Sequence, residues 1–261
     1  MIYLKTEEEI ELMRQSNQLV SMTHARLAQS IEPGISTAAL DKIADEFIRD
    51  HGAVPGFLNY AGFPKSVCIS VNDVVVHGIP GDYILQDGDV VSIDIGVYKN
   101  GFHGDSCYTF EVGEVDEKVR RLLKITREAL YKAIEVVKEG KRVGDIGYAV
   151  QSHSEQAGYG VVRELVGHGI GKDLHESPEV PNFGRRGTGP KLQAGMCIAV
   201  EPMITLGKRF ITQEDDGWTI RTRDNKPAAH FEHTMAVRKD KADILSDFSI
   251  IDKAVNQKRG E

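Results

Sequence analysis

The sequence has few cysteines and no long apolar run, and each shortage excludes a class of protein. Cys68, Cys107 and Cys197 are odd in number, widely spaced and without a CxxC pair. They therefore provide neither a disulfide framework nor a thiolate zinc site. No stretch approaches the length of a membrane span, and the acidic start MIYLKTEEEIELMRQ has no secretory apolar core. We expect a cytoplasmic protein without a membrane anchor.

Positive charge is also in short supply. Lys and Arg total 32 against 39 Asp and Glu, which gives a formal net charge of −7. A chain that mainly coats nucleic acid or an anionic membrane needs the opposite balance. The hydrophobic content of 41% is ordinary for a globular protein. With 261 residues and no low-complexity linker, the chain predicts one large domain or two half-domains around a shared core.

Helix signals occur in two pairs. Thr6 and Glu9 form a T-x-x-E capping signal, so a first helix is expected to start near residue 7. A second helix fits STAALDKIADEFIRDHG, which has one apolar stripe and ends at a glycine. The same periodicity predicts a long helix over roughly 116–138 and a shorter one near 144–157.

Strand signals follow each pair of helices. After a loop at 54–66, SVCISV and DVVSIDIGVYKNGFHGDSCYTFEV predict strands, the second being a hairpin that turns at Asn100-Gly101. The last third predicts strands in MCIAVEPMITL, GWTIRT and HFEHTMAVR. The basic segment DKAVNQKRG near the end is predicted to be a short solvated tail.

Two pairs of similar segments connect the halves of the chain. VHGIP (76–80) resembles GHGIG (167–171), and LQDGDVVSID (85–94) aligns without a gap with LQAGMCIAVE (192–201), which sets Asp94 against Glu201. Because the similarity is short, chance likeness between ordinary strands is the alternative. We favour an internal duplication. It predicts an α+β fold in which pseudo-symmetric halves, about 1–112 and 113–250, give strands to a helix-backed sheet.

Carboxylates that follow apolar runs indicate a metal site. In the predicted hairpin Gly96 lies opposite Asp105, and Asp94 shares the face of Asp105 with its backbone about 7 Å away. Two like charges on a buried face are costly unless a cation lies between them. Aspartates on a solvated face are the alternative, which the apolar run around Ile93 disfavours.

Three further side chains extend this set. Glu201 ends the apolar run MCIAVE, and Glu232 lies in HFEHTMAV on the same face as His230. His168 lies between glycines, which allow close approach to a ligand. Singly, each has an ordinary structural explanation. Together, four carboxylates and one imidazole suit two divalent ions of the Mn, Fe, Co or Zn kind.

These motifs resemble those of the type I methionine aminopeptidases, which have the pita-bread fold. The resemblance runs almost end to end, through KTEEEIELMRQS, GFPKSVCISVNDVVVHGIP, IDIGVYKNGFHGDSCYTF, ELVGHGIGKDLHESPEVPNFG, GMCIAVEPMI and FEHTMAV. It implies a single catalytic domain over 1–261, with a pseudo-twofold antiparallel sheet backed by helices. The metal ligands that it implies are Asp94, Asp105, His168, Glu201 and Glu232. Asp105 and Glu232 would bridge both ions.

The resemblance also assigns a substrate site. His77 would face the scissile amide, and His175 would face the carbonyl oxygen. A pocket for the methionine side chain is implied at Phe57, Tyr60, Phe63, Cys68, Leu174 and Trp218. Ordinary packing is the alternative for these aromatic and apolar residues, and it is strongest for Phe57 and Leu174.

The implied function is removal of the N-terminal methionine from newly made proteins and peptides when the second residue is small. Glu201 would act as general base and then acid on a water that bridges two metal ions. The nascent N-terminus is the expected partner, the ribosome is a further candidate, and a monomer is expected. The physiological metal stays open, because four oxygens and one nitrogen suit several ions.

Three other functions share part of this pattern. Aminopeptidases P and prolidases have the same fold, but they usually carry a large N-terminal domain and lack GFPKSVCIS and HESPEVPNFG. Metal-free pita-bread binding modules lose the ligands, whereas all five positions here carry ligand-type side chains. Dimetal phosphoesterases use a similar ligand set, but with more histidines.

Overall fold

The chain alternates pairs of helices with runs of strands, as the sequence predicts. Residues 1–260 are described by a computed structural model. Within this range the helices are α1 (Glu7–Ala28), α2 (Thr37–Asp50), α3 (Glu117–Ile134), α4 (Val143–Gln156) and α5 (Phe248–Arg259). Strands fill the two stretches between these pairs and before α5. The chain order is therefore helix, helix, strands, twice over, followed by a terminal helix.

The first run of strands is β1 (Val54–Pro55), β2 (Cys68–Val71), β3 (Val74–Val76), β4 (Val90–Lys99) and β5 (Phe102–Glu111), with a 3-10 turn at Tyr60–Gly62. The second run begins with β6 (Gly160–Val161), β7 (Gly167–Gly169), β8 (Glu176–Val180), β9 (Cys197–Val200) and β10 (Met203–Thr205). It ends with β11 (Ile211–Gln213), β12 (Ile220–Thr222), β13 (Ala228–His230), β14 (His233–Val237) and β15 (Ala242–Ile244).

The strands pair in an antiparallel manner in four sheets. In the first sheet, β4 pairs with β1, β2 and β5. The largest sheet has five strands in the order β15-β14-β9-β7-β8. The other two have the orders β13-β10-β6 and β11-β12-β3. In the last of these, β3 from the first run pairs with β12 from the second. Strands from both parts of the chain therefore meet in one sheet.

Local sequence signals start the helices where they were predicted. The Thr6 side chain accepts a hydrogen bond from the backbone of Glu9, and the Glu9 side chain returns one, so the capping box is confirmed. The side chains of Ser36 and Asp116 each accept one hydrogen bond from a backbone N–H in the first turn of α2 and α3. Helix α3 ends at Ile134, earlier than predicted: the N–H groups of Val136 and Val137 donate to carbonyls only three residues back, and that of Glu139 donates to the carbonyl of Arg238.

The hairpin of β4 and β5 is also confirmed. Gly96 pairs with Asp105, and the turn residues Asn100 and Gly101 both have positive φ, at 53° and 85°. These values suit the Asn-Gly turn that matches the twist of two antiparallel strands. Asp94 and Asp105 therefore lie on one face of a fixed two-stranded ribbon.

Two predicted strands are broken where a carboxylate occurs. MCIAVEPMITL divides into β9 and β10 at Glu201-Pro202, and HFEHTMAVR divides into β13 and β14 at Phe231-Glu232. Proline cannot donate to a strand ladder. The N–H of Glu232 donates to the carbonyl of Cys107 on β5, at 2.9 Å, rather than to a neighbouring ladder. β9 pairs with β14 in one sheet, and β10 pairs with β13 in another. The segments β9–β10 and β13–β14 therefore pass from the first sheet to the second at the same place.

The prediction of a solvated C-terminal tail is wrong. The segment belongs to α5, in which Ile251 and Ala254 are buried and Asp247 caps the first turn. The Arg127 guanidinium on α3 donates two hydrogen bonds to the carboxylate of Asp252. Helix α5 packs against α1, and a few apolar residues on one side of it are enough to form this contact.

A continuous apolar core joins the elements of both halves. Leu19 of α1, Ile93 of β4, Leu130 of α3 and Ile198 of β9 belong to one buried cluster. The exact division of the domain at residues 112 and 113 stays a prediction. Of the helices in the described range, none is both long and apolar enough to cross a membrane.

Candidate metal centre and substrate cavity

One cavity of about 300 Å³ brings together every side chain that the sequence predicts for the site. Its wall contains the five predicted metal ligands Asp94, Asp105, His168, Glu201 and Glu232. It also contains the predicted substrate residues Phe57, Tyr60, Phe63, Cys68, His77, Leu174, His175 and Trp218. The two groups therefore share a single space, with the acidic groups next to the aromatic ones.

Glycines near the two aspartates allow close packing around the hairpin. A Cβ on Gly104 would lie 2.6 Å from the backbone N of Asn17, so α1 can approach β5 only with glycine at this position. The Asn17 side chain in turn accepts a hydrogen bond from the backbone N–H of Asp105. Asp105 is 3% exposed, and the Oδ1 atoms of Asp94 and Asp105 have no hydrogen-bond partner within residues 1–260.

His168 reaches the aspartates from a different sheet. A Cβ on Gly167 or Gly169 would lie within 2.4 Å of a backbone oxygen on a neighbouring segment, so β7 is packed too tightly for other residues there. The Nδ1 atom of His168 lies 2.9 Å from the carbonyl oxygen of Gly169. Donation to that carbonyl leaves Nε2 free as a lone-pair donor toward the cavity.

The sheet-to-sheet crossing places the two glutamates beside this imidazole. The Nε2 atom of His168 lies 3.6 Å from Oε1 of Glu201 and 3.8 Å from Oδ2 of Asp105. One ligand atom from each of Asp105, His168 and Glu232 lies within 4.8 Å of the others. Glu232 is 1% exposed, and its Oε1 atom also has no hydrogen-bond partner in the described chain.

Burial makes the ionised form of this cluster unfavourable. It raises the pKa of Asp94 to about 7 and that of Glu201 to about 8. Burial, with a smaller effect of the neighbouring carboxylates, raises the pKa of Asp105 and of Glu232 well above the usual range. Burial lowers the pKa of His168 to about 3, so this imidazole is neutral at ordinary pH.

The two other predicted histidines line the cavity next to different aromatic residues. His77 has a positive φ of 58°, and its ring stands edge-on to that of Trp218 with the centroids 6.3 Å apart. The Nδ1 atom of His175 lies 2.7 Å from the hydroxyl of Tyr60, and its ring stands edge-on to His168 at 4.2 Å. Burial lowers the pKa of His77 to about 4 and also lowers that of His175.

Aromatic and apolar side chains form the remaining wall. The rings of Phe63 and Trp218 meet edge to face with centroids 5.2 Å apart. Phe57, Cys68 and Leu174 are buried residues of the same wall. Tyr60 is half-exposed at the mouth. The cavity thus has a polar, acidic end and an apolar end, which suits a ligand with one charged and one oily part.

Comparison with known proteins decides the family. Residues 11–239 match the model of metallopeptidase family M24. The chain belongs to this family. It is 50% identical to the methionine aminopeptidase of Clostridium perfringens and 47% identical to methionine aminopeptidase 1 of Bacillus subtilis, in each case over 94% of this chain and 99% of the relative.

A similar solved structure is also that of a methionine aminopeptidase, like the sequence relatives of this M24 metallopeptidase. The crystal structure of methionine aminopeptidase from Rickettsia prowazekii superposes with a TM-score of 0.93 at 44% identity. The match covers 95% of this chain and 100% of that one. The predicted resemblance to methionine aminopeptidases and the pita-bread α+β fold are therefore confirmed.

The donor set of this metallopeptidase fits divalent metal ions. Three buried carboxylate oxygens lack partners, and the imidazole of His168 presents an unprotonated nitrogen among them. Without a cation, four carboxylates buried so close together would have to take up protons. A divalent cation removes this cost and supplies the missing partners.

The sequence prediction of the site omitted His230 and Met203, which line the same cavity. His230 is 2% exposed, and its Nε2 atom lies 3.5 Å from Oε2 of Glu201. One signal for it was present in the sequence, because His230 and Glu232 alternate in HFEHT. Met203 follows Glu201 by two residues and gave no signal beyond its apolar character.

Proposed function

We propose that this metallopeptidase removes the N-terminal methionine from proteins and peptides whose second residue is small. One observation carries the proposal: the buried cluster of Asp105, His168 and Glu232 opens into the same cavity as Phe63 and Trp218. Two relatives of which the chain covers nearly the whole length are named methionine aminopeptidases. A metal-binding end and an apolar end in one cavity suit hydrolysis next to an oily side chain.

We infer that two divalent cations, of Mn, Fe, Co or Zn, bind to the five predicted ligands. Asp105 and Glu232 would bridge the ions, Asp94 would complete one site, and His168 with Glu201 would complete the other. The unpartnered oxygens and the mainly oxygen donor set support this assignment. When bound, such ions make a water molecule acidic enough to be deprotonated near neutral pH and polarise a carbonyl group.

Glu201 is the proposed general base and acid. It borders the cavity at the polar end, and its two oxygens face His168 and His230 rather than a cationic side chain. Within residues 1–260 no lysine or arginine pairs with Glu201, so its carboxylate would be available to accept the proton of the attacking water. It would then pass this proton to the leaving amine.

His77 and His175 are the proposed substrate contacts. The lowered pKa values keep both imidazoles neutral, so each can donate one hydrogen bond without carrying a charge. The Tyr60 hydroxyl beside Nδ1 of His175 leaves the Nε2–H of that ring to donate to the substrate carbonyl oxygen. His77, on the Trp218 side, would contact the scissile amide.

The apolar end is the proposed pocket for the methionine side chain. Phe57, Phe63, Cys68, Leu174 and Trp218 form a lining of rings, a thiol and a branched alkyl group, with Tyr60 at the mouth. A polarizable thioether packs well against such a surface. A cavity of about 300 Å³ leaves little room for a large second residue beside the metal ions. A cytoplasmic monomer and a ribosome contact stay predictions from the sequence.

The proposal is tested by peptide cleavage with the Mn- or Co-loaded protein. We expect release of methionine from Met-Ala-Ser, little from Met-Leu-Ser, and none from Leu-Ala-Ser or Ala-Pro-Ser. Glu201→Gln should lower kcat by about 10²–10⁴ because the proton acceptor is lost. Glu179→Gln changes an exposed carboxylate outside the cavity and is the matched control. Cleavage that needs no metal, or that survives Glu201→Gln, would contradict the proposal.

A further inference from the structure

The imidazole of His230 is buried, and one of its nitrogens lacks a hydrogen-bond partner among residues 1–260. Its side chain is 2% exposed, lines the cavity, and has an Nε2 atom without a hydrogen-bond partner among the described residues. A buried polar nitrogen left in this state costs about 1–3 kcal/mol. A partner must therefore exist in the working enzyme, and the question is which group supplies it.

The backbone holds His230 firmly in place. Its N–H donates to the hydroxyl oxygen of Thr109 at 3.0 Å, and its carbonyl accepts from the same hydroxyl at 2.7 Å. On the other side, His230 pairs with Met203 in the ladder between β13 and β10. Because Thr109 holds its backbone on one edge and β10 lies beside it on the other, the backbone of His230 cannot move away from the cavity without disrupting β13.

The group that faces this nitrogen is the carboxylate of Glu201. Its Oε2 atom lies 3.5 Å from Nε2 of His230, and its Oε1 atom lies 3.6 Å from Nε2 of His168. The two imidazoles thus flank one carboxylate, with one ring to each oxygen. His168 belongs to the close cluster with Asp105 and Glu232, whereas His230 is not part of that cluster.

We propose that His230 is a positioning residue for Glu201: its Nε2–H donates to Oε2 and thereby keeps Oε1 turned toward His168. The inference rests on the proposed function, because it gives Glu201 a fixed orientation as ligand and base. His230 acts through Glu201 and does not bind the metal itself. If the carboxylate of Glu201 could rotate freely, either oxygen could face His168, and the carboxylate would hold the neighbouring ion less tightly.

Co²⁺ binding tests this role without any turnover. His230→Leu removes the donor with an apolar side chain, and His230→Gln keeps an N–H donor. We expect the leucine variant to bind the weaker of two Co²⁺ ions about tenfold less tightly and to change the visible Co²⁺ absorption, on the scale of other lost ligand supports. The glutamine variant should restore both. His24→Leu alters another buried histidine that does not line the cavity and should leave the Co²⁺ spectrum unchanged.

Kinetics provides a second, independent measurement. With Met-Ala-Ser, His230→Leu should lower kcat by about 10- to 100-fold while KM stays the same, and His230→Gln should recover most of kcat. If the unaltered enzyme does not release methionine, the proposed function fails, but the Co²⁺ comparison still tests His230. If His230→Leu does not fold, His230→Met fills the same space with a flexible apolar chain and carries the same expectation.

Two results would overturn the positioning role. In the first, the leucine variant binds Co²⁺ with unaltered affinity and spectrum, which would make His230 a packing residue. In the second, the leucine and glutamine variants lose the same part of the Co²⁺ spectrum, which would make the imidazole itself a ligand.

Discussion

The Nε2 atom of His168 lies 3.8 Å from Oδ2 of Asp105, although β7 and β5 belong to different sheets. The contact exists only when both sheets are assembled, so the cluster is a property of the whole fold. Its carboxylates favour folding only when a cation or protons compensate their charge. Metal binding and stability are therefore coupled, and the first two predictions follow from that coupling.

Asp105→Asn should separate stability from metal binding. In metal-free protein the amide removes a buried acid, and we expect the free energy of unfolding to rise by about 1–3 kcal/mol. With Mn²⁺ or Co²⁺ present, the variant should lose most of the metal-dependent rise in Tm. Thermal unfolding with and without chelator measures both effects.

Asp89→Asn is the contrasting variant. Asp89 is also buried, but its carboxylate accepts hydrogen bonds from Asn72, Tyr83 and the backbone of Gln86. We expect this change to lower stability and to leave the metal-dependent rise in Tm intact. A loss of stability in metal-free Asp105→Asn as large as that in Asp89→Asn would contradict the account of the cluster.

Metal binding should release protons near neutral pH. The raised pKa values of Asp94, Asp105, Glu201 and Glu232 mean that the metal-free cluster holds protons at pH 7, which a cation must displace. The apparent affinity should thus rise by about tenfold per pH unit for each proton released. Calorimetry in buffers with different ionisation enthalpies counts these protons. A count of zero at about pH 7 would show that the carboxylates are already ionised.

The apolar end of the cavity should affect the binding of the methionine side chain, which KM for Met-Ala-Ser measures. Phe63→Ala removes a ring that packs against Trp218, and we expect KM for Met-Ala-Ser to rise by about 10- to 200-fold, the scale for lost apolar contacts in a specificity pocket. Phe102→Ala removes an equally buried ring that does not line the cavity. Both variants should unfold more easily. An equal rise of KM in both would remove the special role of Phe63.

The sequence determines the hairpin and most helix starts because their signals are local. The Asn100-Gly101 turn sets the register, and strand alternation then places Asp94 and Asp105 on one face. The capping box of Thr6 needs only the next three residues. These features could be predicted from neighbouring residues alone, before any tertiary contact is known.

The breaks at Glu201 and Glu232 could not be predicted in this way. Glu232 continues the strand alternation of His230 and Thr234, and Pro202 marks an irregularity after Glu201 without showing which strand the chain joins next. The end of helix α5 could not be predicted either, because after Ile251 only Ala254 and Val255 are apolar in a segment that is otherwise charged or polar. The roles of His77 and His175 came from the family resemblance, because an isolated histidine carries no local signal.

His24 should make stability sensitive to mild acid. It is fully buried with Nε2 2.9 Å from the carbonyl of Ser106, and burial lowers its pKa to about 4. A histidine with a lowered pKa in the folded state contributes fully above its unfolded pKa of about 6.5, and this contribution is lost as the pH falls toward 4. Between pH 7 and 5 the loss is about 2 kcal/mol.

The comparison that isolates this effect uses His24→Gln, which has no titratable group at this position. The difference in unfolding free energy between the unaltered protein and the variant, measured with urea, should shrink by that amount as the pH is lowered. A difference that stays constant over this range would mean that His24 is charged, or hydrated, in the folded state.

A crystal structure of the protein soaked with Mn²⁺ or Co²⁺ tests the central claim most directly. Anomalous diffraction locates the ions without reference to any assumed chemistry. We predict two peaks in the cavity, with side-chain atoms of Asp94, Asp105, His168, Glu201 and Glu232 about 2.0–2.3 Å from them and with Asp105 and Glu232 contacting both. A cavity without peaks, or peaks held by other side chains, would contradict the account.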